Sequence, residues 1–427
     1  MKRACLFLML VHVAVPAACD SLTRKKPKLP QVHAFTLGNT LNGGLVGALG
    51  PSMATFASST GLNNAALART IMLNRAAKLC GTFAWAFYAE RLQRGKAMLG
   101  IGPQQLLVAV MFLEVLCALT IVSFRSSSFA LQAALIIFGW CYGLADSGFD
   151  LITVWSETGN AKETRTQVAM LNAGFTAGAV LTPAVVGLAL RLGGTSYACF
   201  VVLALMAALA GVALAASDVL PEGAPPLEME PTDLTEAEAA SEAMESATDA
   251  SVATPSSMTS TTTSSPSSSR QLAGHLFVSC MFIVLFCATG SEHVVGTWLP
   301  TLGSKLGSLD MATMAMMSSF YWSTICVGRV GWCLLSQHIK SAWPVLAMDG
   351  VVMLLAGVGF SLYSPSRGPW LLWASCLLLG LGCASSLPCA LTMPAEAHVA
   401  LTPVVLMCLN LAGTIGESET QHGESTC

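Results

Sequence analysis

The sequence predicts an all-α protein that crosses a membrane many times. Apolar residues make up 54% of the 427-residue chain and charged residues only 11%, whereas soluble domains carry about 25% charged residues. The apolar residues are gathered into eleven runs, each about long enough to cross ~30 Å of hydrocarbon as a helix. A polar segment separates the first six runs from the last five. We therefore expect an integral, multi-pass protein in the lipid bilayer of the plasma membrane or of an organelle.

Residues 1–20 resemble a targeting signal. Lys2 and Arg3 precede a mostly apolar run from Ala4 to Ala18, which is shorter than the roughly 20 residues of a membrane span. A cleaved signal would send the basic cluster at residues 24–28 outside the cell, against the preference of basic residues for the cytosolic side. A cleaved peptide, a short interfacial segment and a wrongly assigned start site therefore remain as alternatives.

Six spans are predicted in the N-terminal half, residues 32–216. Their apolar cores lie at 35–57, 70–90, 103–124, 129–155, 167–191 and 196–216. If the residues before the first span are cytosolic, nine Lys and Arg residues fall in cytosolic connections and three in the opposite ones. Because cytosolic loops carry the excess of Lys and Arg, the region around residue 30 is predicted to be cytosolic.

A polar linker, residues 217–271, is predicted to be disordered and cytosolic. Its first part is acidic and its second part is almost entirely Ser, Thr and Pro, and neither part can bury enough apolar surface to fold. The C-terminal half, residues 272–415, then carries five spans at 273–300, 312–335, 342–363, 369–392 and 399–415. An odd number of spans would put the polar tail, residues 416–427, on the side opposite the linker.

The composition argues against several classes of function. A net charge of −3 gives no basis for a nucleic-acid partner. The fifteen cysteines are scattered without a CxxC pair, so we expect buried free thiols, such as Cys80, Cys141 and Cys287, rather than a metal site. No phosphate-binding loop or nucleophile–base pair is present. We therefore expect neither an enzyme nor a cofactor, and we expect a monomer.

Polar side chains inside the spans are the candidate site residues. Asp146 and Asp150 lie one helical turn apart in span 4, where a carboxylate is costly unless it faces a wet cavity or a partner. Glu292 lies towards the outer end of span 7 and could pair in an outer gate with Arg75 or Lys78 of span 2; alternatively, these two bases reach out to the membrane surface. The remaining candidates bind substrate, join helices or anchor the chain at the interface: Asn39, Asn42, Asn172 and Trp298.

Span 5 also carries small residues at regular spacing. Gly174 and Gly178 are four residues apart, and this spacing lets a neighbouring helix approach closely. Spans 4 and 5 together predict a pair of membrane helices that line a polar path.

The layout of six spans, a cytosolic linker and further spans resembles the major facilitator superfamily, whose two halves are six-helix repeats. Gly328-Arg329 in span 8 resembles the second-half copy of the family's loop motif. The segment AFYAERLQRGK between spans 2 and 3 is similar to the first-half copy, and its charged positions are filled by Glu90, Arg91, Arg94 and Lys96. The resemblance implies two six-helix halves, the last helix of which is missing from the eleven predicted spans. It also implies that spans 3 and 9, which carry Glu114 and Asp349, face outward.

Six local motifs are similar to the branch of the superfamily that holds fucose permeases and sodium-dependent glucose transporters. They include LVGALGPSM in span 1, GLADSGFD in span 4, NAGFTAGAVLTP in span 5 and GSEHVVGTWLP in span 7. The resemblance implies a secondary transporter that moves a small polar solute, with a hexose as the first candidate, by alternating access and with a proton or sodium ion. It places Asp146 where fucose permeases carry an acid used for sugar–proton transport. The alternative is a non-transporting membrane sensor or scaffold, or a truncated member of the family.

Overall fold

The computed structural model describes residues 31–93, 101–156, 161–217, 268–305, 309–335, 338–339, 341–364 and 369–396, together with 405, 407–409, 411–413 and 415. The described residues form helices and no strand. The prediction of an all-α fold is therefore confirmed. Residues 1–20, the linker from 218 to 267, the polar tail, Arg94 and Lys96 lie outside the described residues.

The helices follow the predicted spans closely. The first half contains α1 (Gln31–Thr60), α2 (Asn64–Gln93), α3 (Pro103–Ser123), α4 (Ser128–Ser156), α5 (Ala161–Arg191) and α6 (Tyr197–Ala216). The second half contains α7 (Ser268–Lys305), α8 (Met311–Leu335), α9 (Trp343–Ser361), α10 (Trp370–Ala384) and α11 (Ser386–Glu396). The tenth predicted span is thus divided between α10 and α11. The described residues of the eleventh predicted span, between 405 and 415, are all helical.

The bundle has the surface of a membrane protein. By length and composition, seven helical segments of the described chain can cross a membrane, and they belong to α3 through α7 and to α9 through α11. Large apolar side chains stand on the outside of the bundle; Leu354 of α9 is 69% exposed and Leu205 of α6 is 61% exposed. Such a surface is suited to lipid tails rather than to water.

Glycines bring the helices of the first half into backbone contact. A Cβ atom at Gly43 of α1 would overlap the carbonyl oxygen of Phe175 on α5, and one at Gly178 would overlap that of Thr40. The same holds between α2 and α4, where a Cβ at Gly143 would overlap the carbonyl oxygen of Lys78. The close approach predicted from the small residues of span 5 is therefore found in the structure.

The two halves touch along α1 with α7 and along α5 with α8. We call the side of the bundle where α6 ends and α7 begins the linker side, and the other the distal side. A Cβ at Gly50 of α1 would overlap the carbonyl oxygen of Thr297 on α7, and the Ser319 hydroxyl of α8 donates to the carbonyl of Val180 on α5 at 3.0 Å. Both contacts lie towards the distal ends of their helices, so the halves are packed together on the distal side.

Burial differs from the prediction at four side chains. Cys141 is buried as expected, but Cys80 and Cys287 are exposed on the outside of the bundle. Glu114 and Asp349 were predicted on outward-facing spans, yet they are 0% and 5% exposed. Glu114 is covered because α3 packs against both α4 and α6, so only part of an outer helix faces out.

Candidate functional site

A polar cavity lies between the two halves in the middle of the bundle. The space inside it that the centre of a water-sized sphere can reach is about 50 Å³, so it can hold ordered water or a small ligand. Helices α1, α2, α4 and α5 form one side of it, and α7, α8 and α11 form the other. Its polar side chains are Asn39, Lys78, Thr82, Tyr142, Asp146, Asp150, Asn172, Thr289, Glu292, His293 and Arg329.

Most of the predicted binding residues meet here. Five of the seven candidates line the cavity, namely Asp146, Asp150, Asn39, Asn172 and Glu292. Asn42 stands behind the wall and donates to the side-chain oxygen of Asn39 at 3.2 Å. Trp298 lies on α7 outside this wall.

The basic candidates of α2 are buried instead of reaching the membrane surface. Lys78 lines the cavity at 6% exposure, and Arg75, one turn earlier, is 1% exposed. Glu90 and Arg91 lie at the exposed end of α2, as expected of a loop motif, and the Arg91 guanidinium stacks over the ring of Phe87 at 4.7 Å.

Arg329 is placed differently from its predicted position in a loop motif. It points into the cavity from α8 at 1% exposure and donates to both carboxylate oxygens of Glu292 at 2.9 Å. Glu292 is 3% exposed, so both charges are withdrawn from solvent. The partner of Glu292 in this structure is therefore Arg329, and the outer-gate pair with Arg75 or Lys78 stays a prediction.

The same guanidinium reaches two other helices. Its Nε donates to the carbonyl of Ala384 at the end of α10 at 3.3 Å. Its Nη1 donates to the carbonyl of Asn172 on α5 at 3.4 Å, which links the second half to the first. Because Arg presents several donors in a rigid planar fork, one side chain can hold these acceptors together.

The first half presents charged groups of both signs. The Lys78 ammonium donates to the Tyr142 hydroxyl at 3.1 Å. Asp146 and Asp150 lie one turn apart on α4, and Tyr142 lies one turn before Asp146, so α4 turns all three towards the cavity. The glycine contacts between α2 and α4 set how near Lys78 lies to this face.

Asparagines connect the cavity wall to the backbone. The Asn39 amide donates to the carbonyl of Leu171 on α5 at 3.2 Å, and the Asn172 amide donates to Val168 within α5 at 2.9 Å. Asn39 therefore does join two helices, which was one of its two expected roles. Since both residues also line the cavity, their remaining amide groups are placed to meet a polar ligand.

An aromatic cluster adjoins the polar groups. The Phe175 ring lies 6.4 Å from Tyr142, 6.0 Å from His293 and 6.2 Å from Trp322, measured between ring centroids. Phe175 and Tyr142 were not predicted as site residues. Their helical spacing was a usable signal, because Phe175 follows Asn172 by three residues and Tyr142 precedes Asp146 by four.

The chemistry of the wall is that of a binding site. The described residues contain no group of three or more His, Cys, Asp or Glu side chains that could hold a metal ion. Carboxylates, cations, amides and rings converge instead on an enclosed space, an arrangement that binds a small polar molecule.

The model of the Major Facilitator Superfamily matches residues 35–417 of the chain. This protein belongs to the Major Facilitator Superfamily. Among solved structures, a D-xylose-proton symporter is similar in fold, with a TM-score of 0.60 and 14% sequence identity over 91% of this chain and 88% of that chain. No curated protein matches this sequence.

Membership of the superfamily confirms the resemblance to it and makes this chain an integral, multi-pass membrane protein. It also accounts for the position of the cavity, because transporters of this fold bind between two halves near the middle of the bilayer. The narrower likeness to fucose permeases stays a prediction.

Proposed function

We propose that this protein is a secondary transporter that carries a small polar solute, with a hexose as the expected solute, by alternating access. The observation that carries the proposal is the polar cavity at the contact between the two halves. Its hydroxyl, amide and carboxylate groups match the many donors and acceptors of a sugar. The rings of Phe175 and Tyr142 supply flat apolar surfaces beside them.

The charges in the wall favour coupling to a cation. The carboxyl groups of Asp146, Asp150 and Glu292 and the basic groups of Lys78 and Arg329 line the cavity. A buried site with one more carboxylate than cations is balanced when it takes up a proton or a sodium ion. We assign the coupling role to the α4 pair, with Asp146 as the principal carboxylate, because the resemblance to fucose permeases places a coupling acid at Asp146.

The packing of the halves fits one state of an alternating-access cycle. The distal side is closed by backbone contacts between α1 and α7 and by the Ser319–Val180 hydrogen bond. In the alternating-access cycle, a hexose reaches the cavity when the halves separate on the linker side. The likeness to a D-xylose-proton symporter supports a sugar and a proton as the pair to test first.

Uptake by purified protein in proteoliposomes tests this function. D-glucose, D-xylose and L-fucose are offered under an inward proton gradient, an inward sodium gradient and no gradient, with protein-free liposomes as the control. We expect one gradient to drive accumulation of at least one sugar, and Asp146→Asn to lose that accumulation. Absence of both accumulation and counterflow for every sugar, with protein that is folded and inserted, would reject the proposed function.

A further inference from the structure

The tenth predicted span is broken at a proline. Pro388 has no N–H, so the carbonyl of Ala384, four residues earlier, lacks its normal donor within the helix. The next amide, that of Cys389, donates to Ser385 at 2.9 Å. The helix is accordingly interrupted at one residue, Ser385, whose φ of −96° and ψ of −10° stay in the α region, and α11 begins at Ser386.

Arg329 supplies the missing donor. Its Nε donates to the Ala384 carbonyl at 3.3 Å, while its Nη2 holds Glu292. The break is therefore held by the same side chain that forms the ion pair of the cavity. The Ala384 carbonyl, which has no helical donor because of Pro388, is thus bound by a side chain of the cavity.

The opposite side of the break is also held. The Ser385 hydroxyl donates to Asp349 of α9 at 2.6 Å, and Asp349 is 5% exposed. The Ser386 hydroxyl donates back to the carbonyl of Gly382 at 3.2 Å. Side chains of two other helices thus hydrogen-bond to the residues at the break: Arg329 of α8 on the cavity side and Asp349 of α9 on the other side.

The segment after the break forms part of the cavity wall on the linker side. Because the helices alternate in direction, α10 begins on the distal side and α11 ends on the linker side. Leu387 of α11 lines the cavity, and α11 packs against α5 and α7. A change of angle at the break would move this wall.

We propose that Arg329 is a positioning residue that couples the cavity to a hinge at the break between α10 and α11. A solute hydroxyl that engages Glu292 competes for the carboxylate that holds Arg329. Release of the guanidinium then frees the carbonyls of Ala384 and Asn172 together, so α11 swings and the halves part on the linker side. This inference rests on the proposed alternating-access function, but its tests need no solute.

The first test is a double-mutant cycle between Arg329→Lys and Pro388→Ala. Lysine keeps the charge that pairs with Glu292 but cannot reach Ala384 and Asn172 as well. Alanine at 388 restores a backbone N–H for the Ala384 carbonyl. We expect Pro388→Ala to raise thermal stability in detergent more in the Arg329→Lys background than in the native one, because the two changes act on one carbonyl.

Pro183, within α5, is the matched control. It is a second proline inside a helix, and Arg329 contacts neither it nor Ala179, four residues before it, in the hydrogen bonds of the described chain. Pro183→Ala should therefore have the same effect on stability in the native and in the Arg329→Lys background. If Pro388→Ala behaves in the same additive way, the coupling between Arg329 and the break is refuted.

The second test measures movement of the wall. Leu387→Cys is labelled with a hydrophilic maleimide applied to the linker side of the membrane, and labelling of the parent protein, which has its own cysteines, is subtracted. Arg329→Lys gives up the bonds to both Ala384 and Asn172, and loss of even one charge-assisted hydrogen bond changes an equilibrium by about tenfold, so we expect the labelling rate to rise by at least about tenfold. Pro388→Ala should reverse this rise and Pro183→Ala should not.

An unchanged labelling rate in Arg329→Lys would overturn the hinge, even if the variant is less stable. Both readouts are taken without solute, so a failure of sugar uptake rejects the proposed function without deciding this inference. Additive stability effects in the mutant cycle, or an unchanged labelling rate in Arg329→Lys, reject this inference, and neither result decides whether the protein transports a sugar.

Discussion

Removing one charge of the Glu292–Arg329 pair should destabilise this protein more than neutralising both. The guanidinium donates to both carboxylate oxygens at 2.9 Å, and the two residues are 3% and 1% exposed. Glu292→Gln leaves a buried guanidinium without its paired carboxylate. Such a half-removed buried pair costs about 3–5 kcal/mol.

The loss of stability expected for the double variant, Glu292→Gln with Arg329→Gln, depends on the other contacts that Arg329 makes. Replacing both partners of a buried pair by neutral groups costs little by itself, but Arg329→Gln also gives up the bonds to Ala384 and Asn172. Hydrogen bonds from charged donors contribute about 1.5–3 kcal/mol each at ideal geometry, and these two are long at 3.3 and 3.4 Å. We expect the double variant to be more stable than Arg329→Gln alone by at least about 2 kcal/mol.

Thermal unfolding of the detergent-purified variants gives the order of stability. The expected order is native, then the double variant, then either single variant. Arg191→Gln, at the exposed end of α5, is the matched control and should change stability by no more than about 0.5 kcal/mol. If the double variant is no more stable than the less stable of the two single variants, the two charges do not stabilise each other as a buried ion pair, and the expected order is refuted.

Three further predictions can be checked separately. Asp146→Asn should lose gradient-driven accumulation while retaining solute exchange in proteoliposomes; accumulation equal to that of the native protein would make the carboxylate structural. Gly178→Ala should lower the yield of folded protein, because its Cβ would overlap the Thr40 carbonyl, whereas Gly331→Ala, with no atom within 4 Å of the new Cβ, should not; equal yields would contradict the close approach of α1 and α5. The hydroxyl and amide of Thr313 donate to Asp310 and hold the pKa of that exposed carboxyl below its usual value. This cap at the start of α8 therefore stabilises the protein above about pH 4, and the stabilisation is lost as the pH falls through the lowered pKa. Asp310→Ala should lower the melting temperature at pH 7 but not below the lowered pKa. An equal loss of melting temperature at both pH values would refute the role of the ionised cap.

The number and order of the helices could be predicted because the hydrocarbon thickness fixes the length of an apolar run. The runs gave α1 to α9 to within a few residues at most ends. The small residues of span 5 predicted a close helix approach, and the structure identifies the neighbour as α1. The division of the tenth span had a visible cause in Pro388, yet the prediction treated the run as continuous. The length of an apolar run gives no information about a missing backbone N–H such as that of Pro388.

The partners of the charged residues could not be predicted in the same way. Position along a helix sets only an approximate depth, while the direction in which a side chain points depends on how all the helices are rotated and packed. Asp146 and Glu292 could be named as candidates because any acid in a membrane span is one, and both line the cavity. Arg329 was assigned to a loop motif from its neighbours in the sequence, and only the packing of α8 against α7 and α10 shows that it lies in the cavity.

Several glycines of the two halves meet different kinds of atoms. In the first half, Gly43, Gly143 and Gly178 set backbone against backbone, and such contacts cannot yield without separating whole helices. In the second half, a Cβ at Gly328 or Gly380 would meet side-chain atoms first, and the tenth span is interrupted. A solute in the cavity therefore lies between two different walls. The wall that carries Asp146 is held by backbone contacts, and the wall that carries Arg329 contains the break between α10 and α11. In the proposed hinge, a solute that engages Glu292 releases Arg329, so we expect the wall that contains the break to be the one that moves.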